Sequence, residues 1–282
     1  MASRLRNSYR QTTSPRYVER LSSSWILPTL VLAVLRALIS LYIFVSHFFI
    51  IGYLCSIGDC DHAGVTLSHF SVLGFWALGF YYAFAAAHSF SYAVSGKPWL
   101  SSWPAGLRWL HSVLYASITT YPFIVTALYW AEPHEYSSRT PFWSWWAISQ
   151  HGLNSIFAIL EILLPRSDPH PWVNLLALFF LSAGYVGLGF LIYVTLGHYV
   201  YGALDADRHQ RAILAGFFIG LLAASVILFI VVRYVQWIRW WLTEAKSGPG
   251  PEAHDTQSGQ KRSNLGNESD PAALPDARRH DV

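Results

Sequence analysis

The sequence predicts an all-α, polytopic membrane protein with six transmembrane helices and both termini on the cytosolic side. Three observations carry that expectation. Of the 282 residues, 53% are hydrophobic and only 12% are charged. The apolar residues fall in blocks of about twenty, the length that crosses a hydrocarbon layer as a helix. The basic residues gather at the two ends and in alternate breaks between blocks, as cytosolic segments do. The net charge of +3 therefore speaks to topology and lipid headgroups, and nucleic acid is not an expected partner.

The elements follow in order. Residues 1–24 are polar and carry Arg4, Arg6, Arg10, Arg16 and Arg20. No short apolar core with a small-residue cleavage site follows, so they read as an uncleaved cytosolic leader. The transmembrane domain takes residues 25–242. Its first block spans residues 25–55, with Pro28 and Arg36 in the first third. The start of that block is expected at the interface, with Arg36 reaching back to the headgroups. Cys55 and Cys60 follow in a short loop. They form a disulfide if that loop faces an oxidising lumen and stay as two thiols otherwise.

The remaining blocks cover roughly residues 67–92, 107–130, 143–164, 172–201 and 212–241, each long enough to span. Lys97, Arg108, Arg166, Arg233, Arg239 and Lys246 all fall on the side of the leader, while the first loop has no Lys or Arg and the third only Arg139. Arg208 and Arg211 in the fifth loop dissent. Every tryptophan but Trp76 stands at a block edge or in a loop, where indole rings sit at headgroup level. Gly184, Gly187 and Gly189 in the fifth block suit close helix packing. Residues 243–282 turn to Gly, Pro, Ser, Asp and Lys, the composition of a disordered cytosolic tail. The sequon at Asn267 is expected to stay unmodified on that side.

The fourth block, WSWWAISQHGLNSIFAILEILLPR, holds the polar groups that suggest chemistry: His151, Asn154, Ser155 and Glu161. Polar groups in a span are costly and face protein or a water-filled cavity. His151, Asn154 and Ser155, at i, i+3 and i+4, share one helix face. Counted from Trp143, His151 lies ~12 Å below the lumenal edge, and counted from Leu67, Ser71 and Gly74 lie ~6 and ~10 Å down. Thr126, Thr195, His69 and His198 fall in the same outer layer. A hydroxyl beside a general base is the minimum for acyl transfer. The same groups also serve as interhelical hydrogen bonds. A different reading pairs His88 with His111, and His151 with His198, as haem ligands for transmembrane electron transfer.

QHGLNSIFAILEILLPR, the ending GHYVYGALD of the fifth block and the six-span layout resemble the androgen-induced membrane protein family, in a fungal-type form, over roughly residues 30–240. The rolling-stone family has a similar layout. The resemblance implies an intramembrane hydrolase of fatty acid esters of hydroxy fatty acids, using a threonine nucleophile and a histidine. On this chain Gly74 stands at the threonine position and Ser71 is the nearest hydroxyl. His151 matches the first of two histidines three residues apart, and Asn154 replaces the second. The expected catalytic set is Ser71 as nucleophile, His151 as general base, and Asn154 as oxyanion donor or histidine orienter. The expected partners are membrane lipids, with a long-chain lipid ester as substrate and no cofactor or metal. The expected location is an endomembrane such as the endoplasmic reticulum, or the plasma membrane. The alternatives are a non-catalytic lipid-binding or scaffolding protein and, third, the haem-binding electron carrier.

Overall fold

The computed structural model describes residues 2–131, 140–197, 200 and 211–244. The described residues are almost wholly helical and contain no strand. Residues up to Trp240 form one compact unit; from Trp241 on, only the last turns of the final helix are described. The expected disordered tail, with Asn267, lies outside the described residues, as does Arg139.

The leader is folded. Its arginine-rich stretch forms α1 (Ala2–Thr12) and α2 (Pro15–Ser22). Pro15 opens α2 and the Ser14 hydroxyl accepts the Tyr17 N–H at 3.2 Å, a pairing suited to a helix start. Tyr17, Val18 and Leu21 are buried against Ile39, Ile43 and Leu78. Tyr17 bonds Ser112 at 2.9 Å and Arg20 pairs with Asp168 at 2.7 Å. The sequence hid this because three apolar residues on one face of an eight-residue helix stand out little among arginines.

α3 (Thr29–Ser56) starts four residues later than the apolar block. Pro28 caps it, and the residues before Pro28 instead cover the end of α9 (Asn154–Leu163). The Ser24 hydroxyl donates to Leu164 O, the Trp25 indole to Leu163 O, and the Arg166 N–H to Ser23 O. The first two bonds satisfy carbonyls that any helix C-terminus leaves open, and the third ties the chain after α9 back to Ser23.

α3 has two apolar faces. Leu32, Ile39, Ile43, Ile50 and Leu54 are buried, while Leu30, Val34, Leu38, Leu41, Val45 and Phe48 are exposed at the 3–4 residue spacing of one stripe. Such a helix is apolar all round, and its outer stripe needs lipid. Its main neighbour is α5 (Phe70–Ser95). Gly79 lets the two helices close: a Cβ there would stand 2.8 Å from Ile43, and the Ser40 hydroxyl reaches Gly79 O at 3.0 Å. Trp76, the one tryptophan away from a block edge, stacks on His47 with ring centroids 4.2 Å apart. Between α3 and α5, α4 (Cys60–Thr66) is joined to α3 by a Cys55–Cys60 disulfide.

The third block is two helices, α6 (Ala105–Ile118) and α7 (Tyr121–Ala131). Pro122 has no N–H and its ring crowds the preceding turn, so the helix breaks at Thr119–Thr120. The fourth is three pieces in one line: α8 (Pro141–Ile148), a π-helical turn Ser149–Leu153, and α9. α10 (Val173–Leu196) and α11 (Arg211–Thr243) complete the set. Among the described residues five helices are long and apolar enough to cross a membrane, with α6 and α7 counted as one. Residues 141–163 are not among them.

Arg36 corrects the sequence reading. It does not reach headgroups; it is 1% exposed. Its guanidinium forms an ion pair with Glu161 through two nitrogens, donates to Ser89 Oγ at 2.5 Å, and also reaches Leu21 O and Ala85 O. Tyr81 donates to Glu161 at 2.7 Å. Burying either charge alone would be costly; together, with Ser89, Tyr81 and two backbone carbonyls bonded to them, they are tolerable.

A second polar cluster joins α6, α11 and the turn before α10. His170 Nε2 bonds Thr119 Oγ1 at 2.8 Å and Gln236 Nε2 at 3.2 Å. Gln236 also donates to Tyr115 OH and accepts the His170 N–H, each at 2.9 Å. Arg239 donates to Pro165 O and Ser167 O. Burial, with Arg233 and Arg239 nearby, pushes His170 down to about 3.

Two outcomes are expected. Arg36→Met leaves Glu161 buried without its cation and costs ~3–5 kcal/mol. The double variant Arg36→Met/Glu161→Met recovers most of that loss in detergent unfolding; a double variant as unstable as the single would sink the account. For His170, the unfolded chain takes up a proton near pH ~6.5 that the folded chain refuses until about 3. Stability therefore falls as pH drops through that window, by about 1.4 kcal/mol per unit from this group. The stability–pH curve of His170→Asn should be flatter between pH 6 and 4 than that of the wild type.

Candidate functional site

A cavity of about 370 Å³ lies between α5, α6, α7, α9 and α10. Much of its wall is apolar: Phe70, Ala77, Val113, Leu114, Ile118 and Val125. Leu73, Leu110 and Leu181 line it and are themselves exposed, so the cavity is open to the surroundings rather than sealed. No acidic, basic or histidine side chain lines it.

The break in the third block helps to make this space. Tyr121 and Pro122, at the start of α7, both stand in the wall. On the other side, α5 contributes a gap rather than a side chain. A Cβ placed on Gly74 would meet nothing within 4 Å.

The polar groups of the wall divide sharply. Tyr121 donates to Leu178 O at 2.7 Å, Tyr185 to Ser68 O at 3.0 Å, and Ser117 to Leu114 O at 2.8 Å. Asn154 uses only its oxygen: Oδ1 accepts from Thr126 Oγ1 at 3.1 Å and from the Ser155 N–H at 2.6 Å. Thr126 also bonds Ser155 Oγ at 2.7 Å. The backbone N–H of Ser155 can only donate, so it fixes which end of the amide is oxygen. Asn154 Nδ2 has no hydrogen-bond partner among the described residues, and neither has the Ser71 hydroxyl.

Ser71 and Asn154 thus share one cavity with Gly74, while His151 is placed differently. It sits in the π turn, and its ring stacks on Tyr129 with centroids 3.7 Å apart and planes 6° apart. Trp130 donates its indole N–H to His151 O at 3.2 Å. His151 is not among the residues lining the cavity. A π turn inserts an extra residue and rotates the side chains beyond it. His151 and Asn154, which a regular helix would put on one face, therefore part company.

The remaining candidates stand apart from the cavity. Thr195 is exposed on α10 and bonds back to Leu191 O. His69 precedes α5 and contacts Val65 O through Nδ1 at 3.3 Å. His198 lies outside the described residues. His88 and His111 are buried in direct edge-on contact, centroids 5.1 Å apart, with Trp103 against both rings. A haem between two ligating histidines needs a gap the width of an iron with its two bonds and a slot for the ring around it; touching imidazoles leave neither. Glu161 is taken by Arg36.

The wall residues Tyr121 and Tyr185 escaped the sequence reading, because tyrosine is common throughout this chain and nothing in its spacing marks a cavity. No protein-family profile, curated protein or solved structure matches the chain.

Gly74→Leu should place its side chain in the cavity without displacing a neighbour. It adds apolar contacts and removes the helix penalty of glycine, about 1 kcal/mol. The expected result is an equal or higher melting temperature for the delipidated protein in detergent. A drop of several degrees would mean that the space beside Gly74 is closed.

Proposed function

We propose that the chain is a six-span integral membrane protein of the androgen-induced type, its ends cytosolic, in an endoplasmic-reticulum or plasma membrane. In this reading it holds a lipid chain in the cavity beside Gly74 and does not hydrolyse it. The sixth span is the line of α8, the π turn and α9. Its 23 residues, 141–163, make ~35 Å of helix. The distribution of Lys and Arg supports the orientation.

The observation that carries the binding reading is the character of the wall. It is apolar, exposed leucines form part of it, and it contains no general base. A serine hydroxyl needs such a base to attack an ester. Ligand pockets of this kind are largely apolar, with a few polar groups to set orientation.

The hydrolase reading keeps one observation in its favour: Ser71 and the Asn154 amide stand in the same cavity with uncommitted polar atoms. There Ser71 would be the nucleophile and Asn154 the oxyanion donor, with His151 brought over by a change in the π turn.

The test is photolabelling of detergent-purified protein with a long-chain alkyl diazirine. Labelling should map to α5, α6 or α10 and fall at least tenfold in Gly74→Leu; equal labelling of that variant would refute binding in this cavity. A fluorophosphonate applied to the same wild-type protein should leave it unlabelled. Labelling that disappears in Ser71→Ala would turn the assignment to a hydrolase.

A further inference from the structure

Resting on the binding reading above, we infer that the cavity selects a single-chain lipid whose head is uncharged and presents one acceptor oxygen, and that Asn154 Nδ2 is the donor that recognises it. Three observations converge on that ligand.

The first is the state of the Asn154 amide. Asn154 is only 4% exposed and stands in the cavity wall. Thr126 and the Ser155 N–H hold its oxygen, so the amide is locked with its NH₂ as the end left over. A buried donor with no partner is costly in an apolar surrounding, and its natural complement is an acceptor on the occupant. A carbonyl or hydroxyl oxygen supplies one.

The second is charge. An ionised carboxylate or phosphate taken into a wall without Lys, Arg or His would lose its hydration with no cation to replace it. The two N–H groups of one amide and one serine hydroxyl cannot make up the several hydrogen bonds that such a group has in water. An ester or amide carbonyl asks for one or two. The protein does bury cations, Arg36 and Arg239, but it spends them on Glu161 and on backbone carbonyls away from the cavity. The third is size. About 370 Å³ lies near the lower end of the ~300–1,000 Å³ typical of ligand pockets, room for one chain rather than two. The exposed Leu73, Leu110 and Leu181 in its wall give that chain apolar contacts as it enters.

The experiment uses the full chain in detergent at pH 8 and three diazirine probes of one chain length: the free fatty acid, its methyl ester and the alkane. In the wild type the ester should label at least tenfold more than the ionised acid, and more than the alkane. Asn154→Leu should bring the ester down to the level of the alkane and leave the alkane unchanged. Ser71→Ala should leave the order of the three probes as it is. Equal labelling by acid and ester in the wild type overturns the inference whatever any variant does, as does an ester preference that survives Asn154→Leu. Should alkane labelling also fall in Asn154→Leu, that variant has lost the cavity itself, and the wild-type ratio of acid to ester decides. Failure of the binding reading looks different: all three probes then label Gly74→Leu as well as they label the wild type.

Discussion

The bundle is organised around one ion pair, Arg36 with Glu161, closed off from solvent on all sides. The pair links α3 to α9, and its remaining bonds bring in α2 through Leu21 O and α5 through Ala85 O, Ser89 and Tyr81. Tyr115 of α6 reaches Glu161 O at 3.3 Å. Packing between apolar helices in lipid gains little from the hydrophobic effect, because lipid tails are as apolar as the side chains. Directional contacts must therefore supply register, and this pair supplies it for four helices at once, with α6 tied in through the Glu161 backbone. The surface beyond can then be loosely specified: α10 and α11 show mainly apolar side chains to the outside.

The same logic governs the cavity. Its position follows from two local departures from regular helix, the break before Pro122 and the π turn before Asn154. Each frees or redirects backbone and side-chain groups that a straight helix would have kept on another face. Thr126 and Ser155 absorb part of the consequence by bonding each other and Asn154. What is left is an oriented amide at the edge of an apolar space, produced by strict hydrogen-bond bookkeeping rather than by any charged group.

Much of the fold was legible in the sequence because hydropathy is a local property: runs such as 29–56 and 173–196 announce themselves. Arg36 was misread because its partner lies 125 residues away, and no local pattern tells a paired arginine from one reaching for headgroups. The leader was read only as a polar cytosolic segment for a related reason, since what Tyr17 and Leu21 pack against comes from α3 and α5. Ser71, Gly74 and Asn154 could be singled out because the family resemblance points to those positions. Their meeting in one wall depends on helix packing, and the departure of His151 from that wall depends on a π turn for which the sequence offers no rule.

The strand-like contact between Ser23–Trp25 and the end of α9 has a consequence for how the molecule is made. Ser24 and Trp25 are bound to carbonyls 140 and 138 residues further along, and Leu21 O awaits a guanidinium that is itself held by Glu161. During synthesis Ser24 and Trp25 cannot make these bonds until residues 163 and 164 at the end of α9 have been made and put in place. The segment translated first is thus a latch that closes late, and its docking reports that the helices made after it have found their places.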